Sequence, residues 1–417
     1  MISFEKRVLE NGLRVIVHED HDTPMACVNL LYDVGSRDED PNQTGFAHLF
    51  EHLMFGGSKN IIDFDTPLQT VGGESNAFTS PDITNYYVTL PADNIETAFW
   101  LESDRMLALE FSEQSLRVQK QVVIEEFKQR YLNQPYGDVW LKLRPLAYTK
   151  HPYRWATIGK EISHIENATL EDVKRFFYRF YAPNNAVLVV SGAVNTDEIF
   201  TLAEKWFGPI EKRHVLDRQL PKEPNQTQAK RLEVKAEVPS DSLYIAYHGV
   251  DRMHPDYYAM DLITDVLSRG ASSRLIQNLI KKNPVFSYVN AYVSGSIDQN
   301  LLILEGKPLP GVTLDKAEEL LLSEINQIKN EKIANYELEK ILNKIESAKT
   351  FEQLSILDKA MNLAYYELLY NDPSKYNTDF QEYRKVKPED ISRVAQSIIK
   401  EENSSTLIYK SLLKNDK

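Results

Sequence analysis

Two histidines and a glutamate stand at a spacing that suits metal binding. In His48-Leu49-Phe50-Glu51-His52 the histidines are four residues apart, and the glutamate directly precedes the second. On an α-helix, residues i and i+4 lie one turn apart on the same face, so both imidazoles could reach one Zn²⁺. With nine histidines in 417 residues, chance would produce this pattern about 0.02 times. The pattern therefore predicts a zinc-binding helix.

The residues around this motif predict that the helix is buried. They are almost all apolar: Phe46, Ala47, Leu49, Phe50, Leu53, Met54 and Phe55. Imidazole and carboxylate groups are costly in such a setting unless they have partners, and a metal ion supplies one. The alternative is a pair of core histidines that are satisfied by hydrogen bonds alone.

A catalytic zinc usually has three protein ligands and one open position for water. The apolar segment from Val118 to Phe127 offers two adjacent carboxylates, Glu125 and Glu126. Neighbours on a helix point about 100° apart, so only one of them can face the metal. Spacing alone leaves the choice open. A zinc-activated water with Glu51 as general base predicts peptide hydrolysis.

The motif lies in the first of two similar halves. Gly56-Gly57-Ser58 and Gly270-Ala271-Ser272 lie 214 positions apart, and the same offset aligns Asn76–Ser80 with Asn290–Ser294. In both halves the first of these segments ends a strand-then-helix pattern, and the second is followed by a polar turn and an apolar strand. Repetition at one offset predicts a duplicated domain. Hairpins alongside helices favour the α+β class, with a mostly antiparallel sheet and helices in each domain.

The predicted domains are residues 1–210, a linker at 211–228, and residues 229–417. The linker is polar and contains Pro221 and Pro224, which is typical of a connecting segment. In the second domain the offset replaces the histidines and glutamate by residues that cannot repeat the site: Leu262, Asp265 and Val266. We therefore expect one zinc ion per chain, in the first domain only.

Composition excludes several classes of protein. The net charge of −13 argues against a nucleic-acid partner, which needs a basic face. No window holds the 18 or so apolar residues of a membrane span, and the first residues do not form a signal peptide. The single cysteine, Cys27, cannot form an internal disulfide. These features predict a cytoplasmic protein without a membrane partner.

With these motifs in place, the chain resembles the pitrilysin family, the inverzincins with H-x-x-E-H, which include insulin-degrading enzyme and the mitochondrial processing peptidase. The resemblance rests on His48–Ser58, Asn76–Thr79, Val122–Glu126 and the two-domain repeat, and covers nearly the whole chain. It implies zinc bound by His48, His52 and Glu126, with Glu51 as general base. Glu126 is selected because the family ligand follows a V-V-x-x pattern.

The resemblance also implies how substrate is bound. Asn76, Ala77 and Phe78 would line the active site and pair with the backbone of peptides or unfolded segments. The alternative for these residues is a plain strand at a sheet edge. The chain length matches the short-subunit branch, in which two chains, identical or related, enclose a closed chamber. We therefore expect a homodimer or a heterodimer.

Two positions depart from the family pattern. Gln119 stands seven residues before the expected ligand Glu126, where family members often have a second glutamate on the same helix face. In the second half Tyr288 matches a substrate-binding tyrosine, but Lys281 stands where arginine is expected, and lysine lacks the bidentate fork of arginine. Lys281 either replaces the arginine or is a solvated surface lysine. Lys281 favours the alternative of an enzyme that is active only with a partner bearing the Arg–Tyr pair. A separate alternative is a non-catalytic structural homologue, because the family contains such members.

Overall fold

The strands form from short runs rich in valine, isoleucine, leucine and tyrosine, residues that suit a pleated and buried surface. The computed structural model describes residues 1–215 and 217–413. The strands are β1 (Glu5–Val8), β2 (Arg14–Glu19), β3 (Met25–Tyr32), β4 (Glu74–Thr79), β5 (Thr84–Pro91), β6 (Ala186–Gly192), β7 (Lys230–Ala236), β8 (Ser242–His248), β9 (Phe286–Val293), β10 (Leu301–Pro308) and β11 (Ser404–Ser411).

The helices lie between these strands along the chain, singly or in runs. They are α1 (Phe46–Leu53), α2 (Asp65–Thr70), α3 (Ile95–Leu107), α4 (Glu113–Phe127), α5 (Val139–Ala147), α6 (Ile162–Glu166), α7 (Leu170–Phe180), α8 (Thr196–Trp206), α9 (Tyr257–Ser268), α10 (Leu314–Asn330), α11 (Asn335–Glu352), α12 (Ile356–Tyr370), α13 (Lys375–Lys385) and α14 (Pro388–Ile398). Short π-helical turns occupy Lys128–Leu132 and Ile276–Lys282.

The two sheets share the order of five strands, and one sheet has a sixth strand, β1, at its edge. One sheet runs β1-β2-β6-β3-β5-β4, and the other runs β7-β11-β8-β10-β9. In both sheets one pair is parallel, β2 with β6 and β7 with β11, and the other pairs are antiparallel. Five strands therefore match position by position. The predicted α+β class, with two homologous domains of mostly antiparallel sheet and helices, is confirmed.

Contacts divide the chain into two compact units that exchange segments. Unit 1 consists of Met1–Lys128, Trp155–Leu220 and Lys349–Thr378. Unit 2 consists of Gln129–Arg154, Pro221–Ala348 and Asp379–Lys417. The predicted domains at 1–210 and 229–417 describe the repeat in the sequence and stay a prediction. Leu216 in the predicted linker and residues 414–417 in the second predicted domain lie outside the described residues.

Each sheet is covered on one face by a helix from the opposite half of the sequence. In unit 1, Leu363 and Ala364 of α12 join Leu31 of β3 and Val189 of β6 in one apolar cluster. In unit 2, α5 packs in the same way against β8 and β11. Both exchanged helices are apolar on the side that meets the sheet, because burial of that side removes apolar surface from water.

Candidate metal centre

The start of α1 is fixed by a buried carboxylate. The Oε2 and Oε1 atoms of Glu39 accept hydrogen bonds from the backbone N–H groups of Gly45 (3.0 Å) and Ala47 (2.9 Å). Burial raises the pKa of Glu39 to about 8, while these N–H groups favour its charged form. Gly45 has a φ of +88°, and a Cβ there would lie 2.6 Å from the carbonyl oxygen of Ile158. The chain can therefore enter α1 along this path only with glycine at that position.

The apolar side of α1 anchors the helix in unit 1. Leu49 and Phe50 have no exposed surface, and the Phe50 ring stacks on the Tyr181 ring with centroids 5.1 Å apart. The opposite side of the helix is partly open, because the side chains of His48 and His52 are 13% and 23% exposed. Burial of one side therefore positions the imidazoles while leaving them accessible.

Helix α4 brings one carboxylate to the two imidazoles. The Oε2 atom of Glu126 lies 3.7 Å from Nε2 of His48 and 3.3 Å from Nε2 of His52. One ligand atom from each of the three residues lies within 4.8 Å of the others. Glu125 faces away, exposed, and accepts a hydrogen bond from Nζ of Lys128. The structure thus brings together the three residues that the resemblance implies as ligands.

This donor set fits zinc. A tetrahedral zinc with bonds of about 2.0–2.1 Å separates its ligand atoms by about 3.4 Å, close to the two distances between Glu126 and the imidazoles. Two imidazole nitrogens and one carboxylate also suit zinc better than magnesium or calcium, which favour oxygen alone. Among residues 1–215 and 217–413, this is the one group of at least three His, Cys, Asp or Glu side chains placed in this way.

Glu51 lies on the open side of α1, where Thr79 contacts it. The hydroxyl of Thr79 donates a hydrogen bond to Oε2 of Glu51 over 2.6 Å. Burial, and to a smaller degree the charge of Glu51, raises the pKa of Tyr181. Burial and the same charge also raise the pKa of Tyr86. Glu51 therefore accepts a hydrogen bond from a hydroxyl and lies close enough to two buried phenols to influence their pKa.

The predicted substrate strand is an edge strand. β4 pairs with β5 on one side and ends its sheet. Asn76 and Phe78 are exposed, whereas Ala77 is half-buried, so their side chains alternate across the strand. The Oδ1 atom of Asn76 accepts a hydrogen bond from the backbone N–H of Ala77 over 2.8 Å. The part of these three residues in substrate binding stays a prediction.

Three further residues were predicted to take part in the site: Gln119, Lys281 and Tyr288. Gln119 is on α4, with its amide nitrogen beside Gly56, just beyond the end of α1. Lys281 lies in the second π-helical turn and donates a hydrogen bond to the carbonyl of Ala271 over 2.9 Å. Tyr288 is on β9 and partly exposed, and burial of the rest of its ring raises its pKa. Their predicted roles are untested by this geometry.

Sequence reasoning missed Glu39 and Thr79. Alternation along β4 could have placed Thr79 on the face opposite Phe78, and so toward the protein. Glu39 gave no such signal, because a carboxylate several residues before a helix follows no capping pattern.

Two family models and several known proteins match this chain. The model described as Insulinase (Peptidase family M16) matches residues 14–153, and the model described as Peptidase M16 inactive domain matches residues 167–345. The zinc protease PqqE of Helicobacter pylori is 31% identical over 97% of this chain and 92% of its own length. A probable mitochondrial-processing peptidase subunit beta of Schizosaccharomyces pombe is 26% identical over 76% of this chain and 71% of its own length.

The structural comparison agrees with the sequence comparison. The crystal structure of a protease from Helicobacter pylori matches with a TM-score of 0.91 and 30% identity, over 98% of this chain and all of that one. None of the helices in the described part of the chain has the length and apolarity that crossing a bilayer requires.

Proposed function

Because this chain belongs to the M16 peptidase family, we propose that it is a zinc-dependent endopeptidase acting on peptides or unfolded segments. One observation carries this proposal. The ligand atoms of His48, His52 and Glu126 converge beside Glu51, on a partly open surface next to an edge strand. That several relatives are named zinc proteases supports it.

His48, His52 and Glu126 would hold one zinc ion per chain and leave a fourth position free, as catalytic zinc sites do. Zinc, when bound, lowers the pKa of water and polarises the carbonyl of the scissile peptide bond. The partial exposure of the two imidazoles gives a substrate access to this side of α1.

Glu51 is the proposed general base. It follows the first histidine by three residues and precedes the second by one, so its carboxylate shares their side of α1 without being needed as a ligand. It accepts a proton from the attacking water and passes that proton to the leaving amine. The reaction then needs no covalent bond between the enzyme and the substrate.

β4 is the proposed substrate strand. An extended peptide would add to its free edge through backbone hydrogen bonds, which depend little on sequence. The Asn76 side chain now occupies the N–H of Ala77, so it must turn aside for a peptide carbonyl to bind there. The exposed ring of Phe78 offers an apolar contact to a substrate side chain.

We also propose that two chains act together around a closed chamber, as the resemblance implies. Lys281 favours a second candidate, an enzyme active only beside a related subunit that bears an arginine. Native mass measurement of the pure chain, with and without a candidate subunit, separates a homodimer from a heterodimer. The cytoplasmic location predicted from the sequence remains a prediction.

The test is digestion of a mixed peptide library by the wild type, Glu51→Gln and Glu125→Gln, with zinc content measured for each. We expect cleavage by the wild type and by Glu125→Gln, and a loss of about 100-fold or more in Glu51→Gln with zinc retained. Equal cleavage by all three proteins would contradict the role of Glu51. A wild type that binds no zinc and cleaves nothing, alone or with a partner, would favour a non-catalytic structural homologue.

A further inference from the structure

The hydroxyl of Thr79 contacts one oxygen of the Glu51 carboxylate. It donates to Oε2 over 2.6 Å, a distance typical of a strong hydrogen bond to a charged acceptor. Thr79 is the last residue of β4, and its side chain lies on the face of the strand opposite Phe78. The donor thus belongs to the sheet, whereas the acceptor belongs to α1.

A glutamate needs such a contact if it is to act as a base. Its terminal torsion is broad, and its side chain has large rotamer freedom. Threonine is branched at Cβ and stiff about χ1, and β5 holds the backbone of Thr79 through the pair with Thr84. A fixed donor on Oε2 therefore restricts the orientation of the Glu51 carboxylate.

We propose that Thr79 is a positioning residue that orients the Glu51 carboxylate toward the attacking water. The inference rests on the proposed function, because it gives Glu51 the role of base. The proposed substrate strand β4 would then also hold the proposed base Glu51 in place. β4 then holds both the bound peptide and the hydroxyl that contacts the Glu51 carboxylate of α1.

A merely structural role for Thr79 has different consequences. Glu51 is half-buried near two phenols, so the hydroxyl also compensates a carboxylate that has lost part of its water. If that were its whole effect, removal of the hydroxyl would lower stability or zinc content and would leave the turnover of the folded, zinc-loaded protein unchanged.

The experiment compares Thr79→Val, which keeps the shape, with Thr79→Ser, which keeps the hydroxyl. Thr89→Val on β5 is the matched control, a half-buried threonine of the same sheet. kcat and KM are measured on one peptide, zinc is quantified, and crystal structures are determined for the metal-free proteins. We expect Thr79→Val to lower kcat by about 10–100-fold, since small misplacements have effects of that size.

In Thr79→Val we expect KM to change by less than about twofold and zinc content to equal that of the wild type, because binding does not use the hydroxyl. Thr79→Ser should recover kcat to within about threefold, and Thr89→Val should match the wild type. The metal-free Thr79→Val crystal should show the Glu51 carboxylate displaced or in several rotamers, with the wild type showing one.

Three results would overturn the inference: an unchanged kcat in Thr79→Val, a loss of zinc that accounts for the lost activity, or an unmoved Glu51 carboxylate in its crystal. If the wild type itself neither binds zinc nor cleaves peptides, the proposed function fails. The metal-free crystals then still decide whether Thr79 positions the carboxylate.

Discussion

The first and second units place matching helices and a matching edge strand on matching sheets, yet within residues 1–215 and 217–413 only the first brings together a candidate set of metal ligands. α1 with α4 and β4 in unit 1 correspond to α9 with α11 and β9 in unit 2. At the offset of the repeat, His48 and His52 become Leu262 and Val266. Leu262 and Val266 have no exposed surface, so the side of the helix that is open in unit 1 is closed in unit 2.

The second helix of each pair differs in charge. α4 directs Glu126 toward α1, whereas α11 directs two lysines toward the end of α9. Lys344 Nζ donates to the carbonyl of Arg269 over 3.3 Å, and Lys340 Nζ donates to Oγ of Ser272 over 3.0 Å. Cations at a helix C-terminus complement its dipole, but they cannot ligate a cation. Unit 2 thus places lysines at the end of α9, whereas unit 1 places a carboxylate beside α1.

The edge strands differ in how their backbones are covered. In β9, as in β4, an asparagine accepts a hydrogen bond from the N–H of the next alanine, Asn290 from Ala291. In β9 alone, Oγ of Ser268 also contacts both the N–H and the carbonyl of Ala291, each over 2.9 Å. Met54 stands at the equivalent position in unit 1. An extended segment that added to the sheet would therefore find backbone groups of β9 already bonded to Ser268 and Asn290, whereas the edge of β4 is more open.

The largest effect is expected from giving unit 1 the residues of unit 2. In His48→Leu/His52→Val, zinc content should fall to background and kcat/KM by about a thousandfold or more, because zinc supplies several kcal/mol of transition-state stabilisation. Elemental analysis and peptide assays measure both. His21→Ala, which changes an exposed histidine of the same unit, is the control. Retention of zinc by the double variant would place the metal elsewhere.

The reverse exchange should fail to create a site. We expect Leu262→His/Val266→His to bind no second zinc, since α11 offers lysines in place of a carboxylate. Two buried imidazoles without partners should lower the free energy of unfolding by about 2–5 kcal/mol. Urea unfolding measures this, with the volume-conserving Leu262→Met/Val266→Ile as control. A second equivalent of zinc would show that the ligand residues alone distinguish the units.

Asp265, which corresponds to Glu51, should make unit 2 sensitive to pH. Burial raises its pKa to about 6 from 3.8, with Arg269 acting in the opposite direction. The folded state thus binds the proton more tightly, so this contribution to stability is full below pH 3.8 and is lost as the pH rises through about 6. Relative to Asp265→Asn, the wild type should lose up to about 3 kcal/mol between pH 4 and 7.

Chemical unfolding of both proteins across that pH range measures the difference. Asp265→Asn also loses the contact with Arg269. This loss adds a constant difference in the free energy of unfolding at every pH at which Asp265 is charged. A difference that stays constant, or that favours the wild type more at higher pH, would show that burial does not govern this carboxylate.

The smallest effect concerns Ser268. In Ser268→Ala the free energy of unfolding should fall by about 1 kcal/mol, the usual contribution of one hydrogen bond. The amide of Ala291 should exchange its hydrogen faster, and the amide of Ala77 should be unaffected. Hydrogen exchange measures both amides within one protein. Unchanged protection of Ala291 would mean that Asn290 alone covers this edge.

Local patterns in the sequence were enough for the features that depend on local geometry. Helical spacing predicted that His48 and His52 lie on the same side of one helix. Two sequence matches at one offset predicted two similar domains. The choice of Glu126 over Glu125 needed the family resemblance, since both positions were open on spacing. The structure then placed Glu126 beside the imidazoles.

Features that depend on contacts between distant segments were missed. The exchange of α5 and α12 could not be predicted, because an apolar helix face does not specify which sheet it covers. The contacts of Thr79 with Glu51 and of Ser268 with Ala291 join residues more than twenty positions apart. No periodic pattern in the sequence indicates which of these distant residues come into contact.

The most direct test of one zinc site per chain, in unit 1, is anomalous X-ray diffraction from crystals of the zinc-loaded protein at the zinc absorption edge. We expect one strong peak per chain, about 2.0–2.1 Å from the Nε2 atoms of His48 and His52 and from a carboxylate oxygen of Glu126. We expect no peak beside α9. Absence of a peak between these three residues, or a stronger peak in unit 2, would contradict the single site in unit 1.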